Sequence, residues 1–195
     1  MKERPILFST EMVLAILDGT KTQTRRVVRY QTKEGEHGWF PTGTGFEYKV
    51  GGSARPVNPY GNIGDILWVR ETWCKSKREW YWYKATERSE LKDIIKEAGF
   101  KWKPSIHMPK EACRLRLKIT GVRVERIQDI SQEDAMAEGV YTSPHRCPGW
   151  KNPLYSFRDC FICTYRLLWN KINGLRGFSW DKNPWVWVIE FEIIK

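Results

Sequence analysis

The sequence predicts an α+β fold, in which a curled, mostly antiparallel sheet approaches a β-barrel and carries helices at its ends. Predicted strands outnumber predicted helices, and most strands follow one another without the regular strand–helix alternation of a parallel sheet. The chain has 195 residues, of which 41% are hydrophobic, so it is long enough to bury one core. We therefore expect a single domain over residues 1–195.

The first elements are predicted from apolar periodicity and from a glycine stop. Pro5 to Phe8 is predicted to be a short buried strand, and Ser9 or Thr10 can cap a helix that Gly19 ends. The β-branched residues between Thr22 and Val28 then favour a strand. If this segment is extended, Thr24 and Arg26 share one face, and Gln23 and Arg25 share the other.

The middle of the chain combines an irregular stretch with aromatic strands. Residues 30–62 are rich in glycine and proline and show no sustained period, which predicts a loop-rich insertion with a small hairpin around Phe46 to Val50. Strands are predicted over Ile66 to Trp73 and Trp80 to Ala85, and a helix over Ser89 to Ala98.

The remaining elements carry clearer patterns. Apolar and basic residues alternate from Lys110 to Thr120, which predicts a half-buried strand that continues past Gly121. A capping box at Ser131 predicts a short helix through Glu138, closed by a glycine. An amphipathic helix over Tyr155 to Asn173 and an alternating strand over Pro184 to Ile193 complete the prediction.

The positive charge is concentrated in two segments. The formal net charge is +10; Lys21 to Lys33 holds five basic and no acidic residues, and Lys101 to Arg126 holds eight basic and two acidic ones. These two segments account for the whole net positive charge of the chain. Charge concentrated in this way favours nucleic acid or nucleotide phosphate as a partner. A membrane surface is a weaker candidate because no basic amphipathic helix is visible. The alternative is that these are solvated strand faces.

The sequence indicates neither a membrane span nor a metal site. No apolar run approaches the roughly 20 residues that cross a bilayer, and the first residues lack a signal-peptide pattern, so we expect a cytoplasmic protein. The three histidines lie far apart without ligand spacing, and no metal or cofactor is expected. Of the five cysteines only Cys160 and Cys163 have C-x-x-C spacing, and their apolar surroundings predict buried thiols.

The segment Gly19 to Arg26 is the main candidate for chemistry. Nearby arginines disfavour a charged lysine, so Arg25 and Arg26 are expected to lower the pKa of Lys21. Lys21 could then act as general base for a nucleophilic Thr24. The alternative is that Lys21 and the arginines bind phosphate and Thr24 is an ordinary strand residue.

This segment resembles the signature of the ASCH domain, a branch of the PUA-like fold, whose loop pattern is G-x-K-x-x-E-x-R. Gly19, Lys21 and Arg26 match the pattern, and Thr24 stands at the position of its glutamate. The small bacterial N4-acetylcytidine amidohydrolases have threonine there, in the run G-x-K-T-x-T-x-R that this chain reproduces.

The resemblance to ASCH proteins of phages and prophages covers most of the chain. It extends over five further stretches: Asn58 to Gly61, Gly64 to Trp73, Pro104 to Pro109, Gln128 to Ser131 with Glu138 and Gly139, and Asn183 to Val188. The implied fold is a PUA-like curled β-barrel with flanking helices.

The amidohydrolase resemblance implies a lysine, a threonine and a glutamate as catalytic residues. Lys21 and Thr24 match directly, and Glu138, at the end of its short helix, aligns best with the glutamate. Asp134 lies one turn earlier on the same face and could replace Glu138, and Glu71 is another competitor. Each carboxylate could instead have only a structural role.

Further candidates would bind the base or phosphate of a substrate. They are glycine, basic, acidic and aromatic residues of the matched stretches: Gly19, Arg25, Arg26, Arg70, Glu71, Trp73 and His107. Tryptophans near basic residues, among them Trp73 and Trp80, suit bases that stack beside phosphates.

These observations lead to three hypotheses about function. The first is an amidohydrolase that deacetylates N4-acetylcytidine or a related nucleoside. The second is a non-catalytic RNA-binding module that recognises modified bases, and the third is an ASCH-type ribonuclease. The expected partner is a modified nucleoside or single-stranded RNA, with no cofactor and no obligate protein partner.

Overall fold

The computed structural model describes residues 1–28, 38–42, 45–49, 58–76, 80–87, 95, 98–141 and 161–194. Its strands are β1 (Glu3–Leu7), β2 (Gln23–Val27), β3 (Gly38–Thr42), β4 (Gly45–Lys49), β5 (Ile66–Arg70), β6 (Trp73–Lys75), β7 (Tyr81–Tyr83), β8 (Arg116–Arg126) and β9 (Trp185–Ile193). Its helices are α1 (Thr10–Leu17), α2 (Gln132–Ala137) and α3 (Phe161–Asn173). The mixed α+β class predicted from the sequence is confirmed.

Five strands form the main sheet, in the order β1-β5-β8-β9-β2. β1 pairs with β5 in parallel, whereas β5 with β8 and β9 with β2 are antiparallel. Within the described part of the chain β1 and β2 are edge strands, so the sheet is not closed into the expected barrel. Alternation of side chains identifies a strand but not its neighbours, so the PUA-like barrel stays a prediction.

The chain divides into two compact units. The first consists of residues 1–19, 60–120 and 191–195, and the second of residues 20–59 and 121–190. In the first unit one group of buried side chains comes from β1, α1, β5 and the start of β8, with Ile16, Leu67 and Leu117 inaccessible to solvent. A separate cluster consists of Trp73, Met108 and Ala112. The expectation of a single domain stays a prediction.

The second unit has a core between helices and sheet. Ala135 of α2 and Tyr165 and Trp169 of α3 pack in one cluster with Val186 and Val188 of β9. Alternation along β9 puts these two valines on the same face. The helices therefore cover one face of the strand that pairs with β2, which brings the end of α2 to the start of β2.

Several predicted boundaries shift. The predicted strand over Lys110 to Thr120 starts only at Arg116, because residues 110–112 form a 3-10 turn after Pro109; it then continues through Gly121 as expected. The strand predicted over Ile66 to Trp73 ends at Arg70. β3 and β4 form an antiparallel pair, so the hairpin expected around residues 46–50 lies earlier in the chain, and residues 46–49 belong to its second strand.

Some predictions lie outside the described residues. They include most of the helix expected over 89–98, the first six residues of the helix expected over 155–173, and Cys160 of the C-x-x-C pair. Among the described residues, no helix has the length and apolar character needed to cross a bilayer.

Candidate functional site: a buried lysine–glutamate pair

The second unit brings Lys21 and Glu138 into direct contact. The Thr22 N–H donates to the Ala137 carbonyl at 2.9 Å, and Lys21 and Glu138 form an isolated antiparallel bridge. The Lys21 ammonium then donates to Glu138 Oε2 at 2.7 Å, and to the main-chain carbonyls of Glu138 and Gln23 at 2.9 and 2.8 Å. Three acceptors match the three N–H groups of an ammonium, so the charged form fits this environment.

Capping residues position the two partners. Gly19 follows α1 at φ +76°, the left-handed conformation that ends the helix and releases the chain toward Lys21. On the other side, the Ser131 side chain accepts from the Asp134 N–H and starts α2. Glu138 is the C-cap residue of α2, and Gly139 follows it at φ +76°. The helix predicted from the capping box is confirmed and presents Glu138 at its end.

Burial governs the electrostatics of Lys21. The exposed fraction is 0% for the Lys21 side chain and 3% for that of Glu138. Loss of solvent is the largest influence and lowers the pKa of Lys21, although the Glu138 carboxylate opposes it. Arg26 and Arg25 lower this pKa by smaller amounts. The direction predicted from the sequence is therefore confirmed, but its main cause is burial rather than the neighbouring arginines.

Arg25 joins the pair to a wider network of carboxylates. Its guanidinium donates to Glu125 at 2.8 Å, to Asp134 at 2.7 Å and to Glu138 at 3.3 Å. Burial alone would lower the pKa of Arg25, but Glu138 and Glu125 raise it overall. Arg25 therefore stays charged and holds one oxygen of Glu138 while Lys21 holds the other.

Asp134 is a second hub of this network. It accepts hydrogen bonds from Gln23 at 3.0 Å, from Arg25 and from Arg123 at 2.7 Å. Partial burial would raise the pKa of Asp134, but these donors together lower it. Asp134 and Glu138 both contact Arg25, as their spacing of one helical turn predicts. Asp134 binds guanidinium groups and Gln23, whereas Glu138 binds Lys21.

Tyr165 of α3 completes the surroundings of Glu138. Its hydroxyl donates to Glu138 Oε1 at 3.4 Å, and the ring is buried among the aromatic residues of the second core. Burial is the main cause that raises the pKa of Tyr165, and the Glu138 charge adds to it. The phenol is therefore a neutral donor to Glu138 at physiological pH.

Thr24 lies on the other face of β2 from Gln23 and Arg25. Thr24 pairs with Ile189 and is 3% exposed, whereas Gln23 and Arg25 both reach Asp134. These contacts are consistent with the expectation that Thr24 lies on one face of the strand and that Gln23 and Arg25 lie on the other. The Gln23 carbonyl that accepts from Lys21 belongs to the peptide bond entering Thr24. The lysine thus meets β2 at its edge, next to the backbone of Thr24.

The other predicted binding residues belong to the first unit, apart from Arg26, which is half-buried in β2. Arg70 donates to the Ile106 carbonyl, and its guanidinium lies 5.5 Å from the Trp68 ring centre. Glu71 is buried and accepts two bonds from Arg114, at 2.8 and 2.9 Å. This pairing makes Glu71 a fixed partner of Arg114.

Two more candidates of the first unit differ in exposure. Trp73 is 5% exposed, and the Lys103 ammonium lies 5.0 Å from its ring centre. His107 is exposed at the end of a 3-10 turn. Gly19, also in this unit, acts as the helix stop described above. The proposed binding roles of these residues stay predictions.

Sequence reasoning missed four residues of these networks: Arg114, Arg123, Glu125 and Tyr165. A usable signal existed for Arg123 and Glu125, since they lie two positions apart on one face of a predicted strand. Tyr165 gave no such signal, because a tyrosine on the apolar face of a helix usually packs in a core.

Many of the basic residues in the two charged segments are paired within the protein. Ion pairs with carboxylates involve Lys21, Arg25, Lys110, Arg114, Arg116, Lys118 and Arg123. The positive charge available to a polyanion is therefore smaller than the sequence count indicates. Among the described residues, no group of three or more His, Cys, Asp or Glu side chains could hold a metal ion.

Comparisons with known proteins leave the family open. No family model and no curated protein matches the chain. Among solved structures, a crystal structure of an ASCH domain from Lactobacillus crispatus JV V101 aligns at 13% identity with a TM-score of 0.42. The alignment covers 98% of this chain and 79% of that one. Similarity at this level establishes neither a common fold nor a common activity.

Proposed function

We propose that this chain is a PUA-like ASCH protein that binds a modified nucleoside and hydrolyses its exocyclic amide, with N4-acetylcytidine as the model substrate. The ASCH assignment depends on the run from Gly19 to Arg26 and on the longer phage-type resemblance. The hydrolase assignment depends on threonine at position 24 together with Lys21 and Glu138.

The observation that supports the proposal most is the contact between Lys21 and Glu138. The two residues are 117 positions apart in the sequence, and the resemblance to amidohydrolases implies both as catalytic residues. Their side chains lie 2.7 Å apart in an environment that excludes water. Low dielectric strengthens the interaction and makes proton exchange between the two groups possible.

One proton shared by this pair is enough for the reaction. Transfer of a proton from the Lys21 ammonium to Glu138 gives a neutral amine beside a neutral carboxylic acid. The amine can then take the Thr24 hydroxyl proton as its oxygen attacks the amide carbon, while Glu138 protonates the leaving N4 of cytidine. Water then releases acetate from Thr24 by the same proton transfers, and the ion pair is restored.

Arg25 and Tyr165 support this cycle from the other side of Glu138. Both donate to Oε1, which leaves Oε2 directed at Lys21. This arrangement fixes the oxygen that exchanges the proton. Proper orientation of such a group is a large part of enzymatic rate enhancement.

The burial of the pair favours a second candidate, a non-catalytic binding module. Side chains that are 0% and 3% exposed are also suited to a purely structural role, which is to fix the end of α2 against β2. In that case base recognition would involve other residues, and the pair would be structural. The two functions differ in whether Thr24 and Glu138 affect turnover.

The deciding experiment measures hydrolysis of N4-acetylcytidine and analyses the products by mass. The parent protein should yield cytidine and acetate. Lys21→Ala and Thr24→Ala should each abolish turnover, and Glu138→Gln should lower kcat by about 100-fold or more while substrate binding remains. Combining Lys21→Ala with Thr24→Ala should cost little more, since residues that act as a unit are not additive.

Two exposed residues provide matched controls. Thr120→Ala removes a threonine hydroxyl outside the site, and Glu133→Gln neutralises an exposed glutamate of α2. Both should retain the parent activity. Full activity in Thr24→Ala would exclude the threonine nucleophile. Binding of the nucleoside without hydrolysis by the parent protein would instead favour the binding module.

A further inference from the structure

The face of β2 that carries Thr24 continues onto β9 within the second unit. Thr24 and Arg26 lie on this face, and Arg26 pairs with Trp187 of β9. Directly paired residues share a face of the sheet, and alternation along β9 puts Trp185 on the same face as Trp187. The valines that flank Trp187 pack against the helices on the opposite face. Thr24, Arg26 and the two tryptophans therefore lie on one face of these two strands.

Arg126, the last residue of β8, is held over one of these tryptophans. Its Cζ lies 4.1 Å from the centre of the Trp185 ring, well within cation–π distance. One guanidinium nitrogen also donates to the Asn183 carbonyl at 2.9 Å. Asn183 is itself fixed, because its side-chain oxygen accepts from the Gln128 N–H at 3.1 Å. The ring and the carbonyl together hold the guanidinium in one orientation.

Arg126 keeps its positive charge available in this setting. Arg25 and Arg123 of the same unit form ion pairs with Asp134. Among the residues that the structure describes, Arg126 has no such carboxylate partner and contacts the carbonyl and the ring instead. An aromatic ring attracts a cation without cancelling its charge. A guanidinium has five N–H donors, of which the carbonyl takes one, and its planar fork matches two oxygens of a phosphate.

The strand register gives the separation between Arg126 and Thr24. The Val28 N–H donates to the Trp185 carbonyl at 3.0 Å, so Trp185 lies beside Val28, four residues along β2 from Thr24. At about 3.3 Å per residue this is a separation of about 13 Å along the strand. A nucleoside with its base at Thr24 does not extend that far, whereas the phosphates that flank the base in a strand do.

We propose that Arg126, held on Trp185, binds a backbone phosphate of an RNA strand whose modified base lies at Thr24. The substrate class is then a modified polynucleotide rather than a free nucleoside. Phosphate contacts of this kind fix the register of a strand and leave its sequence unread. The inference rests on the proposed function for the position of the base, but the contact with the phosphate can be measured by binding alone.

The binding test uses a short fluorescein-labelled oligocytidine with one central N4-acetylcytidine, measured by fluorescence anisotropy at several salt concentrations. Arg126→Gln should weaken binding about tenfold, the loss of hydrogen bonds to a charged group. It should also reduce the log–log salt slope by about 0.7, the contribution of one phosphate contact. Arg126→Lys should keep the slope but lose part of the affinity, because an ammonium retains the charge without the planar fork.

Turnover gives an independent readout of the same contact. In the parent, kcat/KM for this oligonucleotide should exceed that for N4-acetylcytidine by about tenfold, the factor attributed to Arg126 in binding. Arg126→Gln should bring this ratio close to 1, mainly by raising KM for the oligonucleotide. A purely structural role of Arg126 would lower kcat/KM for both substrates and leave their ratio unchanged.

Two further variants control for charge and for folding. Arg176→Gln removes the same charge from an exposed position of the second unit and should leave the salt slope unchanged. Trp185→Leu keeps an apolar side chain but removes the ring that holds Arg126, so it should lower the affinity although the charge remains. Thermal unfolding of each variant establishes that the protein is folded.

The outcomes separate this inference from the proposed hydrolase activity. Binding of the oligonucleotide that depends on Arg126, without any hydrolysis, would support the phosphate contact and reject the hydrolase. Hydrolysis of nucleoside and oligonucleotide with equal kcat/KM would do the reverse. An unchanged affinity and slope in Arg126→Gln, an equal loss of slope in Arg176→Gln, or no oligonucleotide binding by the parent at low salt would overturn the proposal.

Discussion

Removing one side of the Lys21–Glu138 pair should destabilise the protein more than removing both. Glu138→Leu removes the Glu138 carboxylate from the Lys21 ammonium, which still donates to two main-chain carbonyls. Lys21→Met is milder, because Glu138 keeps its bonds from Arg25 and Tyr165. The double variant leaves no buried charge at this position without a partner.

The burial of the pair determines which magnitudes are expected. Loss of one member of a buried pair usually costs about 3–5 kcal/mol of unfolding free energy, which is the value expected for Glu138→Leu. Lys21→Met should cost about 1–3 kcal/mol, the loss of hydrogen bonds to a charged group that retains other donors. The cost of desolvating both buried charges offsets their attraction, so the intact pair adds little net stability. The double variant should therefore lie within about 1 kcal/mol of the parent.

Urea unfolding at pH 7 measures all four proteins of this double-mutant cycle. At about 2–4 °C per kcal/mol for a chain of this size, thermal unfolding should show Glu138→Leu lowered by about 10 °C. The loss of unfolding free energy in Glu138→Leu, relative to the parent, should become smaller as the pH rises toward 10.5. The folded state then holds a lysine with a lowered pKa and binds fewer protons than the unfolded state. Additive losses in the cycle, or a loss below about 1 kcal/mol for Glu138→Leu, would refute the reasoning.

Three further predictions concern single positions. Gly121→Ala should cost about 1–3 kcal/mol in urea unfolding, because its Cβ would lie 2.9 Å from Glu190 Cδ. Gly174→Ala is the control, because its Cβ would make only an ordinary contact, at 4.0 Å, with Asn170 Cβ. Gly19→Ala should cost about 1–2 kcal/mol through left-handed strain alone, since its Cβ meets no atom within 4 Å. The lowered pKa of Asp134 stabilises the fold above pH 3.8, and this contribution is lost as the pH falls through the folded-state pKa. Asp134→Asn should remove that part of the acid dependence, and an unchanged pH profile would contradict it.

Local sequence patterns determined most elements of this protein. The capping box at Ser131 and the stop at Gly19 each fix backbone hydrogen bonds within a few residues, and both were predicted correctly. The alternation that predicts β8 was confirmed over Arg116 to Thr120, where exposed and buried side chains alternate. β9 is present as predicted, but residues 186–189 are all buried, so both faces of this strand are covered there. The boundary of β8 was missed where a 3-10 turn replaces the strand after Pro109.

The candidate site could be predicted from the sequence only in part. Sequence resemblance selected Lys21, Thr24 and Glu138, and spacing predicted which faces of β2 and α2 carry each candidate. Only the tertiary structure showed that Glu138 meets Lys21, that Arg25 and Tyr165 hold the same carboxylate, and that Glu71 is occupied by Arg114. Spacing along the chain predicts which side chains share a face only for residues one or two turns apart. Desolvation and ion pairing depend on elements more than 100 residues away, and these long-range contacts decide the charge state of the site.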